Sequence, residues 1–119
     1  MLKIREAQMK TLREYTLTQF ENRMAAHLRT TFQTQTQDLS EAELRVRIRT
    51  GIDHATPYNI TIEDDVRRYL EYVIMYGPDF DVNPQTAWAG EILRMQNLSG
   101  GEKMDRIDEY DLFGLRGQL

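Results

Sequence analysis

The sequence predicts an all-α single domain, a bundle of about five helices led by a long N-terminal helix. Three observations carry this. A chain of 119 residues matches one domain and leaves no room for a second independent core. Residues 2–29 hold neither Gly nor Pro and are rich in Glu, Arg, Lys, Gln, Leu and Met, all strong helix formers. Downstream, the start and stop signals are those of helices almost throughout.

The first helix is the least tidy. Over residues 2–29 it would measure about 42 Å, against a diameter of roughly 35 Å for a globule of this size, so it must bend or project. Leu17, Phe20, Met24 and Leu28 form one apolar face, and Ile4, Leu12 and Tyr15 form another, offset by roughly 160°. The Ile4 face reads as the core candidate, leaving the first for a partner, a second subunit or another helix. Its offset from the downstream stripe also makes Leu12 and Tyr15 candidates for binding something beyond the main core. A polar tract over 30–38 then reads as fraying helix and loop.

Ser40-Glu41-Ala42-Glu43 is a capping box, with Leu39 and Leu44 as its hydrophobic staple. Leu44, Ile48 and Ile52 give that helix a buried stripe, and Pro57 ends it. Thr61 is expected to cap the next helix, with Glu63, Asp64 and Asp65 complementing its dipole. Val66, Tyr69, Leu70 and Val73 fit the buried template, and Gly77-Pro78 stops the helix. Asn83-Pro84 starts another, carrying Trp88, Ile92 and Met95 on one side. Ser99-Gly100-Gly101-Glu102 is a second capping box, opening a short helix with Met104 and Ile107. Residues 112–119 read as a loose tail.

Composition excludes several function classes. With no cysteine, disulfide frameworks, cysteine zinc sites and thiol catalysis fall away. The longest apolar run, Tyr72 to Tyr76, is too short to span a membrane, and Met1 to Lys10 lacks the apolar stretch of a signal peptide. A cytoplasmic location is expected. The net charge of −4 is uneven: residues 1–52 hold nine Lys/Arg and six Asp/Glu, and residues 53–119 six and thirteen. Such halves either pair with each other or offer an acidic face to a basic partner. An isoelectric point near 5.2 disfavours general nucleic-acid binding.

Catalytic inventories are thin. Ser40 and Ser99 are the only serines, and both serve as caps. His27 and His54 stand in no metal-binding spacing, so His27 reads as a hydrogen-bonded histidine at the core edge and His54 as a helix-end contact. Asp79-x-Asp81-x-Asn83 begins like a calcium loop, but Pro84 falls where the turn glycine belongs and Gly90 where the bidentate glutamate belongs. Arg45, Arg47 and Arg49 spread over a wide arc, which disfavours a DNA-reading helix. Glu63, Asp64, Asp65, Asp79 and Asp81 could supply paired carboxylates for hydrolysis, though first turns and loops are ordinary homes for acids. No catalytic, cofactor or metal residues are assigned. The partner-binding candidates are Asp79, Phe80 and Asp81, in a link stiffened by two prolines, together with Leu12 and Tyr15. The competing reading folds Phe80 inward against Trp88, with both aspartates capping helix ends.

The spacing Ile4-Arg5-x-x-Gln8-Met9, Phe20-x-x-Arg23-Met24-x-x-His27-Leu28, Gly51-Ile52-x-x-Ala55-x-x-Tyr58-x-Ile60-Thr61-x-x-x-Asp65-Val66, Gly77-Pro78-Asp79-Phe80-Asp81 and Trp88-Ala89-x-x-Ile92-Leu93 resembles a group of small helical proteins encoded beside bacterial type VI secretion and polymorphic-toxin genes. The resemblance spans roughly residues 4–108. It implies a non-enzymatic protein that binds another protein: an accessory adaptor or chaperone for a secreted effector or its carrier. An immunity protein neutralising a cognate toxin is the next reading, and a carboxylate-dependent hydrolase the third. Partners are expected to be an effector, a toxin, a secretion component or a second copy of the chain, with no nucleic acid, membrane or cofactor.

Overall fold

Capping chemistry decides where the helices begin. The Ser40 hydroxyl accepts from the Glu43 amide at 3.1 Å and the Ser40 amide donates to Glu43 Oε1 at 3.3 Å, opening α3 (Glu41–Ala55). Ser99 and Glu102 repeat the exchange at 3.1 and 3.0 Å, opening α6 (Gly100–Glu109). Each reciprocal cap contributes about 1 kcal/mol. Asn83 Oδ1 accepts from the Gln85 amide at 2.9 Å, and Pro84 starts a 3₁₀ turn that runs into α5 (Ala87–Leu93). α4 (Glu63–Tyr76) begins differently. The residue before its first turn is Ile62, in extended conformation, and no side chain caps it. The cap expected at Thr61 is therefore not formed; Glu63, Asp64 and Asp65 supply first-turn negative charge instead. Gly77, at φ +106°, ends α4 in a conformation that L side chains rarely adopt.

This computed structural model describes residues 2–115, with side chains from 15 to 112; among them no strand is present. α1 runs Leu2–Thr31 and is followed by one further turn, α2 (Gln33–Thr36). The tract over 30–38, expected as fraying helix and loop, thus holds one further helical turn before its loop. Arg29 accounts for this: its guanidinium donates to the carbonyls of Thr36 and Leu39, the latter at 2.7 Å, and so ties up carbonyls at the end of α2. Thr36 is buried, its hydroxyl donating to the Phe32 carbonyl at 2.8 Å. At the other end, Tyr110–Leu115 forms a π-helical turn, where a loose tail was expected from Leu112 onward. Residues 116–119 of that expected tail lie outside the described residues.

α4 is the central element, packing on α1, α3 and α6. Val66, Tyr69, Leu70 and Val73 are buried, as the periodicity predicts, against Leu44 and Ile48 of α3 and Met104 and Ile107 of α6. Gly51 lets α3 sit tightly on α4, because a Cβ there would meet the Leu70 side chain. On α1 the outcome differs from the expectation at the described side chains. Phe20, Met24 and Leu28 are core residues, whereas Tyr15 is 63% exposed. The Ile4–Leu12–Tyr15 face is therefore not the core face where its side chains are described. Residues 15–19 are all exposed, so among the described side chains of α1 the first buried one is Phe20. The radius of gyration, 15.9 Å, exceeds the roughly 13.5 Å of a spherical domain of this length.

Part of the acidic second half is ion-paired within the molecule. Arg68 is the hub, donating to Asp65 at 2.7 Å, Asp105 at 2.8 Å and Asp108 at 2.9 Å, and so tying α4 to α6. Burial pulls its pKa down, but these three carboxylates outweigh burial and hold it above the ordinary value. Arg67 holds Asp64 and Glu71, both at 2.9 Å. Among the described residues, two pairs join the halves: Arg23 to Glu63 at 2.9 Å, and His27 Nε2 to Glu71 at 2.7 Å. His27 is thus the half-buried, hydrogen-bonded histidine that the sequence suggests.

Within the first half, Glu21 is buried between Arg49 at 2.8 Å and Arg45 at 3.4 Å. Burial raises its pKa, yet both arginines together hold it below its usual 4.5. A carboxylate depressed in the folded state contributes stability above the unfolded value, lost as pH falls through the folded one. Asp64, held by Arg67, and Glu102, held by the Ser99 cap, shift the same way. The melting temperature should therefore drop as pH is lowered from about 6 to about 3, and Glu21→Gln should flatten that slope. A slope unchanged in Glu21→Gln would remove the clamp from the acid response.

Candidate interaction surface

The loop between α4 and α5 holds three of the five partner-binding candidates, and backbone chemistry pins it almost throughout. The Phe80 amide donates to the Gly77 carbonyl at 3.2 Å, and the Asp79 carbonyl accepts from Val82 at 3.0 Å and Asn83 at 2.9 Å. The buried Thr86 hydroxyl donates to the Phe80 carbonyl at 2.6 Å. Those bonds turn Phe80 inward.

Phe80 has 0% of its surface exposed, with its ring centroid 4.9 Å from Tyr69 and 5.9 Å from Tyr72. It cannot serve as an exposed anchor, and its neighbours are the α4 tyrosines. The ring recorded against Tyr110, stacked at 4.7 Å, and edge-on to Tyr76 is that of Trp88. Asp81 is buried too. Its Oδ2 accepts from the Tyr58 hydroxyl at 2.7 Å, a bond that, with burial as the larger cause, pushes the Tyr58 pKa up to about 12. Asp81 therefore braces the loop against the turn after α3, and does not face a partner. The side-chain oxygen that caps a helix here is that of Asn83. Asp79 is exposed, as is Val82 at 67%. Of the sequence-derived loop site, one charged residue stays on the surface, beside a valine the motif reading passed over.

The remaining candidates lie on α1. The Leu12 side chain falls outside the described residues, and Tyr15 is on the surface. Leu17, one turn before Phe20, continues the stripe of Phe20, Met24 and Leu28, yet it is 46% exposed. Nothing in the described part of the chain covers the stripe there. Tyr15 lies nearly opposite Leu17, about 200° around the helix. α1 thus presents apolar groups on two sides immediately before its buried Phe20.

The acids offered for hydrolysis do not converge. Glu63 meets Arg23, Asp64 meets Arg67, Asp65 meets Arg68 and Asp81 meets Tyr58. Among the described residues no group of three acidic or histidine side chains is placed to hold a metal ion, and no described helix is long and apolar enough to cross a membrane. Compared with protein-family models, with curated proteins and with solved structures, the chain finds no match.

Proposed function

We propose that the chain is a non-enzymatic protein-interaction protein, an accessory adaptor or chaperone acting in the cytoplasm on a secreted bacterial effector or its carrier. The observation that supports this is the stripe on α1 continuing past the core to an exposed Leu17, with Tyr15 exposed on the opposite side. A helix with apolar groups on two sides suits a groove in a partner, which covers both at once. The partner class comes from the resemblance to proteins encoded beside type VI secretion and toxin genes. The immunity reading asks for a free acidic face, and here Arg23, Arg67 and Arg68 already engage Glu63, Asp64, Asp105 and Asp108.

Quantitative capture from native-host lysate tests the reading. Tyr15→Glu with Leu17→Glu should lose the main captured protein while leaving helical content and melting temperature nearly unchanged, since neither side chain is core. Equal capture by wild type and variant would move the interface elsewhere.

A further inference from the structure

A cavity of about 640 Å³ opens between the turn after α3 and the ends of α5 and α6, lined by Pro57, Tyr58, Asn59, Leu93, Arg94, Gln96 and Lys103. Its construction begins at Asn59, whose left-handed backbone (φ +65°) turns the chain after the 3₁₀ turn Thr56–Tyr58. Gly100 lets the first turn of α6 press on that bend, since a Cβ there would collide with the Asn59 carbonyl. One turn further on, Lys103 is 3% exposed, its Nζ donating to the Tyr58 carbonyl at 2.8 Å and lying 5.9 Å from the Tyr58 ring centre. From the other wall, Arg94 donates to the Asp81 carbonyl at 3.2 Å, across a gap that Gly90 leaves open.

Charge is what sets this cavity apart. Arg23, Arg45, Arg49, Arg67 and Arg68 each meet a carboxylate. Among the described residues, no carboxylate forms an ion pair with Arg94 or Lys103. The nearby acid, Asp81, sits behind the lining with its Oδ2 taken by Tyr58. Two cations against one carboxylate leave the site positive, in a chain whose net charge is −4. Burying an ammonium without a counter-charge is costly, and its desolvation here lowers the Lys103 pKa. An oxyanion entering the cavity would relieve that cost.

We propose that this cavity binds a small phosphomonoester. A planar guanidinium fork and a compact ammonium lining one cavity suit phosphate oxygens, and the Asn59 and Gln96 amides add donors. The volume exceeds what a bare phosphate needs and lies in the range of small-molecule sites. Pro57 and the Tyr58 ring give an apolar wall for the organic body of the ligand.

Amide NMR titrations at constant ionic strength, using phenyl phosphate, inorganic phosphate and acetate, test the site. Phenyl phosphate should shift the Asn59, Arg94, Gln96 and Lys103 amides saturably, and more tightly than inorganic phosphate, with acetate weakest. Arg94→Gln and Lys103→Met should each weaken binding at least about ten-fold while their spectra stay dispersed. Arg94 is on the surface, so its variant carries the comparison even if the buried Lys103 substitution perturbs folding. Absence of saturable shifts, an equal response to acetate, inorganic phosphate binding as tightly as phenyl phosphate, or undiminished binding in Arg94→Gln would overturn the proposal.

Discussion

Phe80→Ala should cost about 3–5 kcal/mol, lowering the melting temperature by roughly 10–20 °C. The ring is fully buried between Tyr69 and Tyr72, so truncation empties a cavity that the loop cannot collapse into. Its flanking aspartates should then separate. Asp81→Lys breaks the bond to Tyr58 and buries an ammonium near Arg94, so it too should destabilise severely. Asp79→Lys changes an exposed residue and should stay within about 0.5 kcal/mol of wild type. Chemical denaturation of the three variants measures this order. A mild Phe80→Ala would mean that the ring is not held between the tyrosines.

Arg68→Met should be the most damaging loss of a charge, at roughly 3 kcal/mol, the low end for breaking a buried ion pair. The low end applies because Asp105 and Asp108 keep substantial solvent contact, whereas Asp65 does not. Most of the cost therefore belongs to Asp65, left buried without its partner. Adding Asp65→Asn should recover a large part of the loss by removing that stranded charge. A double variant no more stable than Arg68→Met alone would shift the cost to the α4–α6 tie through Asp105 and Asp108.

The local grammar of the chain was readable in advance. Both capping boxes, the Asn83-Pro84 start, the Gly77 stop and the stripes of α3, α4 and α6 each depend on residues within a few positions of one another. What depends on distant partners was not readable. Thr61 and Ile62 compete for one boundary, and the helix starts a residue later than threonine chemistry suggests, with three acids making the dipole contact. The two apolar faces of α1 are comparable in sequence, and only the placement of α3 and α4 selects Phe20, Met24 and Leu28. Asp-Phe-Asp reads as a charged rim around an anchor. Tyr58 and the α4 tyrosines, far away in sequence, turn it into a buried brace. The basic cavity left no local motif, because Arg94 and Lys103 are nine residues apart in the acidic half and share one cavity only through the backbone packing at Gly90, Gly100 and Asn59.

Photo-crosslinking from α1 tests the interaction role most directly. Benzoylphenylalanine in place of Tyr15, irradiated in cells of the native host, should yield an adduct with one dominant other protein. The same group in place of Glu91, an exposed position on α5, should not. Adducts confined to this chain, or the same adduct from both positions, would contradict a role for α1 as the docking helix.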